Sequence, residues 1–454
     1  MSTLLRGRGP GCLLSSLAAA RIREQANLGV FPTETDNVLR RSSRVTRTGS
    51  SALNLIEQAR TIAADLVKIR RDLHRHPELS FEEVRTAGIA ATAMESLGCT
   101  VRTGVGITGV VADLENGPGP RIALRGDMDA LPIHETNTHG FVSENPGVIH
   151  ACGHDAHVAG LIGAARLLAR EKAEGQLPQG SVRCLFQPSE EGTDAEGKSG
   201  AMRMVEEGAM EGVAAVTWLH IASVLPVGKL FFRAGPLMAG TEEIRVEVRG
   251  QSGHAARPDL GIDALALAAQ GIVTAQQAVS RGLSPTEAGA LTFGRIEGGS
   301  AGNVIADKVT IDGTIRFFTE DVRDRLCRHL KGSFEMLEAL GAEVTVRIGP
   351  GYPPVVNDEQ VTEWVRSAAS ELLGPDATLP IEPMTLAEDF SFLAREAPGT
   401  FFFLGAAPAE PRMHHRSDFD IDESAIPVGA AALAAGAVRL LQEMAGSNDN
   451  TKDN

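Results

Sequence analysis

Aromatic side chains are sparse in this chain, at 4% of 454 residues with one tyrosine and two tryptophans. A core poor in rings must be built from Ala, Val, Leu and Ile, and the 43% hydrophobic share allows that. Cysteine is scarce too. The five, Cys12, Cys99, Cys152, Cys184 and Cys327, are odd in number and show no paired spacing, which argues against a disulfide framework and suits a reducing cytoplasm. Basic charge is in deficit, with 43 Lys and Arg against 58 Asp and Glu and a net charge of -15, so no nucleic-acid partner is expected. No apolar run reaches the roughly 18 residues that a spanning helix needs. The longest, Ala425 to Leu441, is interrupted by Pro427, Gly429, Gly436 and Arg439; it reads as a packed helix, and no membrane partner is expected.

What is present is long enough for two domains. Residues 1–52 stand apart as an N-terminal extension, read as disordered. Their first 23 residues carry Arg6, Arg8, Arg21 and Arg23 and no acid, the composition of an organelle transit segment, but the preferred reading is a leader on a cytoplasmic protein. From Leu53 the spacing of Ile56, Ala59, Ile62, Leu66 and Ile69 predicts a helix that Pro77 stops. "GVVADLE", "RIALRGDMDAL" and "GSVRCLFQPSEEG" read as strands, and "HDAHVAGLIGAARLLARE" as a helix between them. This alternation predicts an α/β protein with helices on both faces of a sheet and sites beyond the strands' carboxyl ends. Near residue 238 the pattern changes: "TEEIRVEVRG" alternates charged and apolar residues, as a half-exposed antiparallel strand does. An inserted α+β module over 238–352 is expected, with "GYPPVVND" as the return hinge before "FFFLGAA" resumes the buried character. The surrounding domain is then discontinuous, 53–237 and 353–446, and 447–454 form a disordered tail.

Each of these polar turns raises a chemical question. "HACGHDAH" (150–157) offers Cys152 and His154 across Gly153, and reads equally as a metal site or as a polar turn; a thiol nucleophile with His154 as its base is a further possibility. "QPSEEG" places Glu190 beside Glu191, and adjacent carboxylates point in different directions, so one can bind a metal while the other acts as general base. His220 ends the apolar stretch "VTWLHI", and His414 and His415 follow "FFFLGAA". Together these supply a plausible ligand set for one or two transition-metal ions. Asp127 and Asp129 follow another strand, and Asp129 or Asp155 could orient a ligating imidazole.

Nine segments in order, "LHRHPELSFEE", "RGDMDALPIHE", "HACGHDAHVA", "FQPSEEG", "GQSGHAARP", "GGSAGNVIAD", "GTIRFF", "LAEDFSFL" and "HHRSDFDIDE", give the chain a resemblance over about residues 53–445. It resembles the metal-dependent amidohydrolase, aminoacylase and carboxypeptidase family that includes hippurate hydrolase and the auxin-amino acid conjugate hydrolases. The resemblance implies a zinc-peptidase-like catalytic domain with a mixed sheet, an inserted lid domain that commonly mediates dimerisation, and two divalent ions (Mn, Zn, Co or Ni) per subunit. It makes Cys152, His154, Glu191, His220 and one histidine of the 414/415 pair the metal ligands. His415 is chosen because its spacing to Phe419 matches the family's H-x-P-x-F pattern, although Ser417 stands where proline is common. Glu190 becomes the general base, with Asp129 counted among the catalytic residues in its orienting role. His254 would stabilise the oxyanion and, with Asn303 and Arg316, contact the substrate. The implied activity is hydrolysis of the amide bond of N-acyl amino acids by a metal-bound hydroxide. The alternatives are a diaminopimelate-type deacetylase or dipeptidase of the same family, or a non-catalytic metal- or metabolite-binding relative. The expected partners are the small-molecule substrate and a second copy of the chain.

Overall fold

The computed structural model describes residues 51–449. The expected leader and the end of the expected tail lie outside the described residues; the first helix already starts at Ser51 and the last runs to Asp449.

Eight strands form one mixed sheet, in the order Thr100–Val105, Gly109–Asn116, Gly180–Gln187, Arg121–Asp127, Val213–Ala222, Gly399–Gly405, Leu230–Phe232, Thr378–Pro380. Its centre, 180–187, 121–127, 213–222 and 399–405, is parallel, and 109–116 pairs with 180–187 antiparallel. Successive residues of a strand face opposite sides, and the core divides accordingly. Ile122, Leu124, Leu219, Ile221, Phe402 and Leu404 join a cluster that includes the helices Ser51–Arg75, His154–Ala173, Glu359–Leu373 and Ala425–Asp449. Ala123, Trp218, Phe401 and Phe403 join a second cluster on the other face, with Met204 and Phe390 from two short helices. The helix Ala425–Gly446 is long and apolar enough to span a membrane, yet 83% of its apolar window is buried inside the protein, as a packed helix requires.

A separate four-stranded antiparallel sheet is ordered Gly289–Gly298, Lys308–Phe317, Gly240–Arg249, Glu343–Ile348. Gly240–Arg249 alternates between buried and more exposed positions; Ile244, Val246 and Val248 pack with Ile311, Ile315 and Phe334 into a third core. Two helices, Ala264–Ala275 and Gln277–Gly282, follow one another with a break at Gln276. The chain crosses between the two sheets at adjacent points: the Thr241 amide donates to the Tyr352 carbonyl (2.8 Å), and Gly235–Met238 pairs with Val355–Asn357. Gly351 is required there, because a Cβ would stand 1.8 Å from the Thr241 carbonyl oxygen.

Candidate metal centre

The parallel strands 121–127, 180–187 and 213–222 end at one edge of the large sheet, and the turns that follow them carry the polar residues. The octapeptide leads into helix His154–Ala173, and Gly153 at the helix start has φ 93°, a left-handed conformation suited to glycine.

Two groups of donors meet at Cys152. Cys152, His220 and His414 can place one ligand atom each within 4.8 Å of one another, and so can Cys152, His154 and Glu191. Cys152 Sγ lies 3.4 Å from His220 Nε2. The rings are held from behind: His154 Nδ1 by the Asp129 carbonyl (2.8 Å) and Oδ1 (3.1 Å), His220 Nδ1 by the Ile221 carbonyl (2.7 Å), and His414 Nε2 by the Ser223 amide (3.3 Å). That leaves His154 Nε2, His414 Nδ1 and Glu191 Oε1 buried without a hydrogen bond. Imidazoles fixed through one nitrogen with the other unpaired are what a metal ion requires. These residues therefore fit two transition-metal ions, and Cys152 belongs to both donor groups. The surroundings also favour a cation. Burial alone would lower the His154 pKa, but Asp127 and Asp129 raise it to about 10. Burial holds the Cys152 thiol well above its ordinary range, and Glu191, Glu190 and Asp127 push it the same way. A nucleophilic cysteine needs the opposite setting, and Cys152 meets His220 instead of a His154 base.

The geometry brings both histidines of the 414/415 pair to the donors. His414 joins Cys152 and His220, while His415 has φ 60°, and its half-exposed ring brings Nε2 within 2.8 Å of Glu191 Oε1 without hydrogen-bond alignment.

The neighbouring glutamates diverge. Glu191 joins the donors, and Glu190 lies with Glu388 and Asp389, the three within 4.8 Å of one another. Burial raises the Glu190 pKa well above the carboxylate range, and the charges of Glu388, Glu191 and Asp389 add to this. Arg125 sits among these acids: it donates to Asp127 Oδ2 (2.6 Å), Glu388 Oε1 (3.1 Å) and Asp389 Oδ1 (2.9 Å), and its guanidinium lies 3.9 Å from the Trp218 ring centroid. Asp127 Oδ1 in turn binds His157 Nδ1 (2.6 Å), whose Nε2 accepts the Ile221 amide (2.9 Å). His157 is thus a saturated core histidine. Asp129 sits behind His154, its Oδ1 3.1 Å from Nδ1, and its Oδ2 accepts the Glu191 amide (3.0 Å) and the Ser80 hydroxyl (2.8 Å). Asp155 binds Arg70 and His74 and no ligand imidazole. Nothing local in the sequence marks Arg125, Glu388 and Asp389 as neighbours: "LAEDFSFL" carries only the resemblance, and Arg125 stands within a buried strand.

The three lid residues do not join the cluster. His254 and Asn303 are exposed and come together where 253–254 pairs with 304–305, the Ala255 amide donating to the Asn303 carbonyl (3.1 Å). Arg316 lies at the other end of Lys308–Phe317, beside the hinge residue Thr241, roughly 27 Å from Lys308 by strand rise.

Buried thiol, imidazole and carboxylate donors for two cations, beside a carboxyl outside the ligand set, define a metallohydrolase. Residues 123–438 match peptidase family M20/M25/M40, and the chain belongs to that family. It is 38% identical to the N-acetyl-L-cysteine deacetylase of Bacillus subtilis (strain 168) over 416 residues, covering 89% of this chain and 95% of that protein. It is 36% identical over 394 residues to IAA-amino acid hydrolase ILR1-like 4 of Arabidopsis thaliana, covering 85% and 88%. Among solved structures, the Bacillus subtilis YXEP protein, described as a dinuclear metal-binding peptidase of the M20 family, superposes with a TM-score of 0.74 at 33% identity, covering 84% of this chain and 99% of that one.

Proposed function

We propose that this protein hydrolyses the amide bond of N-acyl amino acids, using two divalent ions held by Cys152, His154, Glu191, His220 and His414. The observation that carries the reading is the pair of donor groups meeting at Cys152, with the divergent Glu190 carboxyl next to them. When bound, the ions would polarise the scissile carbonyl and acidify a water molecule. Glu190 takes the proton from the attacking water and returns it to the amide nitrogen as the C–N bond breaks, releasing a carboxylate and an amine. Asp129 keeps His154 in the tautomer that leaves Nε2 free. Within the lid, Arg316 is half-buried and has no carboxylate at ion-pair distance among the described residues, so its guanidinium is available for the substrate's carboxylate. His254 and Asn303 supply donors for the developing oxyanion and the substrate once they are brought to the centre. A second copy of the chain would cover the exposed Leu265, Val273 and Ile296 of the lid.

The test is to strip the purified protein with a chelator, reload it with Mn, Co, Ni or Zn, and screen N-acetyl, N-benzoyl and indole-3-acetyl amino acids. Two bound ions per chain and restored hydrolysis of at least one class are expected. A protein loaded with two ions and inert on every class would overturn the reading.

A further inference from the structure

Four non-glycine residues among those described have positive φ, and three of them gather around one carboxyl. Phe81 (φ 63°), Ile107 (φ 83°) and Ser189 (φ 44°) lie in segments far apart in sequence. Glu83, fully buried, connects them: its Oε1 accepts the amides of Phe81 (3.0 Å) and Ser189 (2.8 Å), and its Oε2 accepts the hydroxyl of Thr108, the residue after Ile107. Residues other than glycine hold a left-handed backbone only where their surroundings impose it, and such strain gathers at functional sites. Ser189 immediately precedes Glu190 and Glu191. On the far side of that pair, Asp129 Oδ2 accepts the Glu191 amide (3.0 Å). Glu190 is thus suspended between two amides, each held by a buried carboxylate.

We infer that Glu83 is a positioning residue: it clamps the Ser189 amide and thereby holds the turn carrying Glu190 and Glu191 in the strained conformation that aims the Glu190 carboxyl. The inference rests on the reading of Glu190 as general base. It assigns a role to the segment "LHRHPELSFEE", which supplies none of the metal donors.

Glycine adopts φ near 44° without strain, so Ser189→Gly should make the clamp dispensable. In the metal-loaded enzyme, assayed on the N-acyl amino acid it turns over best, Glu83→Ala should lower kcat by about tenfold or more with KM and metal content nearly unchanged. Glu83→Asp, whose carboxyl falls one methylene short, should lower it similarly. Glu83→Gln keeps an acceptor oxygen and should stay within about threefold of wild type. Adding Ser189→Gly to the alanine or aspartate variant should restore most of the loss, a non-additivity that a merely structural role does not produce. Hydrogen exchange supplies a readout that needs no substrate: amides of residues 187–191 should exchange faster in Glu83→Ala, with the rest of the sheet unchanged. Wild-type kcat in Glu83→Ala and Glu83→Asp overturns the clamp, as does a loss that Ser189→Gly leaves in place. If the alanine and aspartate variants do not fold, a loss beyond about tenfold in Glu83→Gln overturns it. The reading of Glu190 fails separately, if Glu190→Gln retains full turnover.

Discussion

At the carboxyl edge of the eight-stranded sheet the candidate donors are buried or half-buried, and every imidazole among them is fixed by a hydrogen bond from behind. In the module of the four-stranded sheet, His254 and Asn303 are exposed at a separate two-stranded ribbon, and among the described residues Arg316 bonds only to Thr314 and the Ile315 carbonyl. Ion pairing differs in the same way. Arg125 and Arg70 are fully buried among carboxylates, while lid pairs such as Arg257–Asp259 and Arg295–Glu297 lie in solvent. Exposed pairs contribute little, whereas breaking a buried one leaves an uncompensated charge. The donors of the large sheet are therefore held in place by their surroundings, whereas two of the three candidate groups of the inserted module stand in solvent.

Removing the base from the organised half should have the largest effect. Glu190→Gln is expected to lower turnover by at least about a hundredfold while metal content stays near wild type. Parallel loss of metal would move Glu190 into the ligand set. Metal analysis of the two adjacent histidines comes next: His414→Ala should lose one of two ions and most activity, and His415→Ala should keep both. The reverse result would make His415 the ligand.

A smaller and more selective effect is expected on the lid. Arg316→Ala should cost about tenfold or more in catalytic efficiency on N-acyl amino acids, the scale of a hydrogen bond to a charged group. It should matter little on substrates whose carboxylate is amidated, because the partner charge is already gone. Equal losses on both would make Arg316 a structural residue.

The smallest effect concerns acid. Burial would raise the Glu135 pKa, but its bonds to His74, the Ser143 amide and Asn137 outweigh this and lower it from 4.5 to about 2. A carboxyl lowered by folding stabilises the fold above its unfolded pKa and loses that contribution as pH falls through its folded value. The destabilisation of Glu135→Gln relative to wild type, on the order of 2 kcal/mol at pH 6, should therefore shrink between pH 4.5 and about 2. Hydrogen exchange over the same range should show the large sheet loosening more than the lid. A lid that opens first would contradict the contrast drawn from their ion pairs.

Much of the fold was legible because strand and helix periods are local properties. The helix ending near Pro77, the buried strands, and the change to an alternating pattern near residue 238 each follow from neighbouring residues. The donor types were legible as well, since Cys152 and His154 stand in a short motif that opens a helix, and Glu191 and His220 stand at strand ends. The break at Gln276 was not, because the spacing of apolar residues continues across it.

The sequence by itself determined the chemical inventory and the order of elements, because both are written in residue type and near-neighbour spacing. Tertiary structure decided what meets what. It put His414 beside Cys152 and His220 and His415 beside Glu191, separated Glu190 from Glu191 by the direction of one turn, and placed His254 and Asn303 together at the opposite end of a strand from Arg316. It also brought Glu83 to Ser189, 106 residues away. Contacts over such distances depend on how strands register and where turns reverse, and no period in the chain encodes them.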